Sequence, residues 1–383
     1  GRAALVAAQV SLSFLLLVGA GLVVRSLQEM RATDPGFSTD QVVATGIDLI
    51  AAGYDTRKAT TLEDELLARL QNVGGVRGAA FVRVTPFSYR GYSTAPIAVD
   101  GYETPPDEPP VVDYNEVGPD YFATLGMPLV SGREFTRADD ETGAPVAVVN
   151  ETMAARYWRG EDPVGRRLVV NGRAMRVVGV ARNAKYRNLS ERPTPFFYVP
   201  LRQNALGQGL VIRTSLAPQT IASALVRELH ALDENLAPSE VITMREQVDR
   251  TTSAQAVAVT LLIVFGGLAL ALAAIGLYGV MSYAVSQGAR EFGVRLALGA
   301  GPSALLRLVL SRGLALTAAG VGVGVAAALQ LTRLLGTLLY RVSPRDPVVF
   351  ALSAVALIVA ASAACGVPAW RAMRTDPLDA LSS

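Results

Sequence analysis

Arg290-Glu291-Phe292-Gly293-Val294-Arg295-Leu296-Ala297-Leu298-Gly299-Ala300, "REFGVRLALGA", carries three charges between two long stretches that carry almost none. Read as a helix, it sets Glu291 and Arg295 at i,i+4 in the favourable order, with Phe292 and Leu296 at the same spacing on another face. Gly299 suits a left-handed cap, and Pro302 suits the first turn of the next helix. Either arginine at the centre of a bilayer would cost about 2.5–3.5 kcal/mol. The spacing predicts a short amphipathic helix at a membrane surface, with an ordinary interfacial loop as the other reading. The apolar runs on either side set what this segment is attached to.

A helix needs roughly 20 apolar residues to cross about 30 Å of hydrocarbon. Four stretches qualify: Ala3 to Val24, a run within Thr251 to Ala289, Gly313 to Thr332, and about Pro347 to Trp370. A signal peptide is the other reading of the first, although no A-x-A site follows it. Small residues such as the Gly320–Gly324 pair would let helices approach closely in lipid. The second run is too long for a simple span. Positions 251 to 289 would make a helix of roughly 58 Å. Either its first turns form a stalk outside the membrane, or it is broken near Gly266-Gly267 or Gly276–Gly279. The bulk numbers agree with a membrane protein. Of 383 residues, 51% are hydrophobic and 18% charged, against about 25% charged in soluble domains, and mean hydropathy is +0.33. A net charge of +2 gives no argument for nucleic acid. Cys365 is the single cysteine, so no intrachain disulfide can form.

Most of the acidic residues and several Pro-rich loops lie between the first and second runs, which predicts one water-soluble domain. Two helical stripes recur in it. Leu62, Leu66, Leu67, Leu70 and Val73 share their spacing with Ile221, Leu225, Val226, Leu229 and Leu232. Thr60 with Glu63 reads as a capping box, and Pro218 suits a first turn. Strand-like runs flank each helix: Val42–Leu49 and Val76–Val84 the first, Leu210–Thr214 and Glu240–Met244 the second. Two βαβ units of this kind predict a ferredoxin-like split sheet. Residues 86–207 are then a mixed, strand-rich insertion. Asn171-Gly172 marks a tight hairpin in it, and Val146–Val149 runs into a helix at Glu151–Trp158. The expected fold is thus membrane α-helical with four transmembrane helices, plus an α+β domain. The expected divisions are a first transmembrane helix at 1–28 and a water-soluble domain at 29–250, with the split-sheet part at 40–85 and 208–246. A three-span membrane part at 251–383 follows, holding the charged segment at 290–301.

Catalytic constellations are absent from the sequence. Gly160 to Arg167, "GEDPVGRR", lacks the Lys and Ser/Thr of a phosphate-binding loop. His230 is the only histidine, so neither a triad nor a zinc site is expected. Asp139-Asp140-Glu141 reads as a hydrated loop rather than a cation site. Tyr121-Phe122 and Trp158-Arg159 read as core rather than ligand cleft. No cofactor, metal or catalytic residue is assigned. Arginine counts barely orient the chain, with seven on the side of the termini against six on the side of the large domain.

The charged segment resembles the "REIGIRRALGA" signature of MacB-type and FtsX-type ABC transporter permeases. Val117 to Gly126, "VGPDYFATLG", with Gly132-Arg133-Glu134-Phe135, is similar to a motif of the MacB-type periplasmic domain. Pro368-Ala369-Trp370-Arg371-Ala372 with Asp376-Pro377-Leu378-Asp379-Ala380-Leu381 resembles the family's C-terminal tail. The opening span looks like acidobacterial duplicated permeases, in which Gly1 would be an internal cut point. Leu296 departs from the usual Arg or Met, and the ATPase domain that MacB itself carries is not in this sequence. The resemblance implies a bacterial cytoplasmic-membrane protein, with termini and charged segment inside and the large domain outside. It implies an ATPase-coupling role for Arg290, Glu291, Gly293, Arg295, Leu298, Gly299 and Ala300. Implied partners are a separate cytoplasmic ABC ATPase and a second permease copy, as homodimer or tandem half, with a periplasmic adaptor as a further candidate. The implied function is the permease subunit of a mechanotransmitting exporter. The alternative is an FtsX-like regulator of an extracytoplasmic partner such as a cell-wall hydrolase, and a membrane-anchored enzyme ranks last.

Overall fold

The computed structural model describes residues 2–88, 91–102, 109–204, 207–287, 302–335 and 339–373, and the chain divides into two compact units. One comprises residues 1–32 and 252–383, the other residues 33–251.

The first unit is helical: α1 (Arg2–Arg31), and, after the second unit's elements, α8 (Ser253–Gln287), α9 (Pro302–Leu335) and α10 (Pro347–Met373). Among the described residues these four helices are long and apolar enough to cross a membrane. α8 runs through both glycine pairs as one helix of 35 residues, roughly 52 Å and well beyond the hydrocarbon thickness. The core is built on every fourth residue of α1: Val6, Val10, Phe14, Val18 and Leu22 are all buried. That spacing keeps one stripe facing its neighbours. Gly320 and Gly324 of α9 lie against it. A Cβ on Gly320 would come within 2.7 Å of Val10, and one on Gly324 within 3.0 Å of Phe14. The GxxxG therefore seats α9 on α1 within one chain. Three hydroxyls in these helices bond to backbone: Ser11 donates to the Gly320 carbonyl at 2.6 Å, and Thr317 and Thr332 donate to their own preceding turns. Cys365 is buried.

The second unit begins with β1 (Val42–Gly46), α2 (Thr56–Gln71) and β2 (Val76–Val82). It ends with β10 (Gly209–Thr214), α6 (Pro218–His230), β11 (Ile242–Thr243) and α7 (Met244–Thr251). The four strands lie in the order β11-β1-β10-β2, every neighbour antiparallel. The two predicted stripes meet on one face of this sheet, where Leu66, Leu70, Ile221, Leu225 and Leu229 pack over Val43, Phe81, Leu210 and Ile212. Two expectations fail locally. α2 starts at Asp55, whose carboxylate accepts from Lys58 N at 2.8 Å, not at Thr60. Thr60 instead donates to the Thr56 carbonyl inside the helix, and Glu63 is buried on another partner. The run Glu240–Met244 supplies a two-residue strand, because Met244 already opens α7.

Between these halves lie β3 (Ser93–Val99), β4 (Val111–Val117), α3 (Tyr121–Leu125), β5 (Leu129–Gly132), β6 (Val146–Asn150) and α4 (Glu151–Trp158). β7 (Arg167–Val170), β8 (Arg173–Ala181), β9 (Phe196–Pro200) and α5 (Leu201–Asn204) complete the region. Asn171 (φ 49°) and Gly172 (φ 79°) form the two-residue β7–β8 turn, as the sequence predicts. The pairings β4-β3-β7-β8-β6-β9 return to the start through a parallel β9–β4 ladder, so six strands close a ring. Its interior holds Ile97, Val149, Leu168, Val170, Val177, Phe197 and Val199, with Met153, Tyr157 and Trp158 of α4 packed on them. Closure leaves few edge groups unpaired, which is the usual solution for a small set of strands. The ring and the four-strand sheet meet at β2 and β4 through a single ladder pair, Val82 with Val117. Beyond it, the buried Asn115 side chain continues the pairing, donating to Val84 O at 2.7 Å and accepting from Val84 N at 3.3 Å.

Candidate functional site

The four-strand sheet has helices α2 and α6 on one face, and its other face carries the cleft. Ala44 and Gly46 of β1 and Gly209 of β10 point away from the α2–α6 core by strand alternation. Gly46 and Gly209 are cross-strand partners, and other parts of the chain pack close above them. A Cβ on Gly209 would meet the Thr85 methyl at 2.9 Å, and one on Gly46 the Ser239 hydroxyl at 3.1 Å. Beside them lies a cleft of about 540 Å³, walled by Arg83, Thr85, Phe87, Arg187, Glu240 and α7. Gln247 anchors α7 across it, donating to Pro86 O at 2.5 Å and Thr85 Oγ1 at 3.1 Å.

Each guanidinium in the wall is already held by a carboxylate. Arg83 reaches Glu116 at 3.1 Å, Arg187 reaches Asp113 at 2.6 Å, and Arg250 reaches Glu240 at 2.7 Å and Glu246 at 2.8 Å. Burial pushes the Glu116 carboxyl above its ordinary range, against the pull of Arg83. The lining contains neither His nor Cys. Among the described residues no three His, Cys, Asp or Glu side chains gather as a metal site. This geometry can bind and orient; it offers no nucleophile with a base.

The outer-domain motif becomes legible in three dimensions. The signature pieces 117–126 and 132–135 meet at α3. Tyr121 and Phe122 are fully buried, and Phe135 lies 6.2 Å from the Phe122 ring. The Glu134 carboxylate accepts from the Phe122 and Ala123 backbone N–H groups at the start of α3, where orphan donors need a partner. Gly126 ends the helix at φ 66°, a left-handed value that suits glycine. Arg213 of β10 donates to Thr124 O at 2.8 Å, tying α3 to the four-strand sheet. The motif is thus a clasp that fixes α3 on the sheet's second face, beyond the cleft.

The remaining candidates are structural. Asp139 is held by Arg133 at 2.7 Å and by Thr136, and Asp140 accepts from Thr142, so the acidic loop satisfies itself. In "GEDPVGRR" Arg166 pairs with Glu161 at 2.8 Å and Asp162 accepts from Val164 N, closing the turn internally. Trp158 is buried, while Arg159 lies 5.8 Å over the Tyr102 ring. His230 ends α6 at an exposed position. The segment Arg290 to Ala300 lies outside the described residues, as does 374–383 of the C-terminal motif.

A sequence reading also misses Glu63. It is 5% exposed, and its Oε1 accepts from Gly207 N at 2.9 Å where the chain returns from the ring to β10. Burial drives its pKa up to about 7, opposed by the Gly207 N–H and by Arg202. The signal was present in the pattern: Glu63 lies i+4 from Ala59 and i−4 from Leu67, on the apolar face of α2.

Comparison with known proteins agrees with this layout. The model of the MacB-like periplasmic core domain matches residues 3–232, and that of the FtsX-like permease C-terminal domain matches residues 263–377. The macrolide export ATP-binding/permease protein MacB of Azoarcus sp. (strain BH72) is 25% identical over 280 residues, covering 69% of this chain and 41% of that protein. The pyoverdine export ATP-binding/permease protein PvdT of Pseudomonas entomophila (strain L48) is 29% identical over 280 residues, covering 68% and 41%. The chain therefore spans less than half the length of these curated relatives. The periplasmic region of MacB from Actinobacillus actinomycetemcomitans superposes with a TM-score of 0.39 at 15% identity, covering 60% of this chain and 98% of that one. With both family domains present in order and four helices able to span a membrane, the chain belongs to the MacB/FtsX-type ABC transporter permeases and carries an extracytoplasmic MacB-like core domain.

Proposed function

We propose that this chain is the transmembrane subunit of an ABC-type exporter in a bacterial cytoplasmic membrane. A separate cytoplasmic ATPase hydrolyses ATP, and the chain transmits the resulting motion to its extracytoplasmic domain. The observation that carries this reading is the order of parts: the periplasmic core domain match precedes the FtsX-like match on one chain with four spans. The 35-residue α8 supports transmission, because a helix longer than the bilayer is thick can carry displacement beyond it. Residues 290–301 are the coupling segment in this reading, with Arg290, Glu291, Gly293, Arg295, Leu298, Gly299 and Ala300 forming the docking surface. A second permease copy completes the transporter. Residues 40–85 and 208–246 act as a porter subdomain of ferredoxin-like kind, a reading supported by the β11-β1-β10-β2 order with one helix in each βαβ half. Residues 86–207 act as the inserted second subdomain.

The test is stimulation of ATP turnover. The chain in lipid nanodiscs, mixed with candidate ABC ATPases, is expected to raise the turnover of its cognate partner. Arg295→Glu places like charges at i,i+4 with Glu291. It should abolish the stimulation while the protein remains inserted and folded. Full stimulation by the variant would remove the coupling role of this segment, and no stimulation with any ATPase would remove the exporter reading.

A further inference from the structure

The outer domain is acidic overall, yet one stretch of its sequence is basic. Residues 33–251 hold 23 Lys and Arg against 28 Asp and Glu, whereas 163–190 contain seven Lys and Arg and no acid. Part of that charge is neutralised inside the domain, Arg166 by Glu161 and Arg187 by Asp113. Arg167 and Arg176 differ. They are direct cross-strand partners in the antiparallel β7–β8 ladder, and both are exposed. Like charges set directly opposite are destabilising. Strand alternation defines the face they occupy. Leu168, Val170, Met175 and Val177 point into the ring, so Arg167 and Arg176 point out, with Ala174 and the half-buried Val169 as the next outward pair along the ladder. The neighbouring β3 adds Thr94, Pro96 and Ala98, all exposed, to the same outer face. Asp113, which β4 contributes there, is already held by Arg187.

We propose that this outer face of β3, β7 and β8 is a docking surface for an acidic segment of a soluble extracytoplasmic protein, whose carboxylates bridge Arg167 and Arg176. Charge complementarity selects the occupant: a guanidinium pair held at ladder spacing fits carboxylates bidentately. The small, partly apolar strip beside the arginines suits a packed peptide. Attraction to an anionic membrane surface takes clusters of about four to eight cations, more than this strand face presents. The proposal is independent of the coupling segment and of the ATPase.

The test uses the full chain in nanodiscs of neutral phosphatidylcholine and a fluorescent twelve-residue Glu-rich peptide, read by anisotropy. Arg176→Glu turns a like pair into an opposite pair, so thermal stability should rise while peptide affinity falls at least tenfold. A site that mattered only to the fold would not move the two readouts in opposite directions. Arg167→Ala, which removes one charge without creating a pair, should weaken the peptide several-fold and serves if the first variant fails to fold. Arg57→Glu with Lys58→Glu, an exposed basic pair opening α2, should leave peptide binding unchanged. Parental affinity in both ring variants overturns the proposal. So does an equal loss in the α2 control. Dependence on the same arginines for phosphatidylglycerol vesicles, with no peptide binding, also overturns it in favour of a lipid surface.

Discussion

The helical unit and the extracytoplasmic unit solve the same problem by different means. In the helical unit packing rests on short repeats, a residue every fourth position of α1 and glycines four apart on α9, and of the three hydroxyls named there only Ser11 reaches another helix. In the outer unit, buried polar side chains join elements far apart in sequence. Glu63 reaches Gly207, Asn115 reaches Val84 and Gln247 reaches Pro86. Lipid offers no hydrophobic drive between helices, so close contact must supply the association. In water, apolar burial supplies the drive, and buried polar bonds then select one arrangement among several.

Three substitutions sharpen this contrast, and the largest effect is expected in the helical unit. Phe14 is fully buried, lies over Gly324 and meets Phe350 edge-on at 6.0 Å. Phe14→Ala should cost about 3 kcal/mol or more through the cavity it leaves, measured by unfolding in detergent, with the outer domain unaffected when unfolding is followed by a probe placed there. Loss of the outer domain's structure as well would show that the two units do not fold independently.

Asn115→Ala comes next. It leaves the Val84 N–H and carbonyl without their side-chain partners in a buried position. A cost of about 2–4 kcal/mol is expected, with the first hydrogen-exchange change at residues 82–84 and 115–117. An effect under 0.5 kcal/mol would mean that the β2–β4 junction is held by its neighbours alone.

Glu63→Gln should have the smallest effect, and a pH-dependent one. The folded carboxyl titrates at about 7, against an ordinary value of 4.5. Between these values the folded state binds the proton more tightly than the unfolded chain. Stability is therefore greatest below about pH 4.5, falls as pH rises toward 7, and is level above it. The neutral glutamine should flatten that slope and raise stability at pH 8 by about 1–3 kcal/mol. An unchanged slope would place the titration elsewhere.

The patterns readable in the chain were those with short periods. The α2 and α6 stripes landed on one face of the sheet. The Asn171-Gly172 turn formed where a positive φ was required twice. Glu63 was readable in principle, as an acid on an apolar face, but its partner was not, because Gly207 is 144 residues away. Thr60 misled because a Ser/Thr–x–x–Glu spacing also occurs inside a helix, and Asp55 was a better first acceptor. The cleft had no sequence signal. Its walls come from segments far apart in sequence, and the β1–β10 register sets Gly46 and Gly209 opposite each other at its edge.

What the sequence determined by itself is the membrane plan and the local elements: runs long enough to cross hydrocarbon, stripes at helical spacing, and one tight turn. Each is set by the solvent or by neighbours within a few residues. Only the tertiary structure decided that six strands close through β4 and β9, that Asn115 extends a ladder, and that Glu63 is buried. Those outcomes depend on contacts between residues tens to more than a hundred positions apart, where periodicity carries no information and only the mutual fit of side chains chooses the partner.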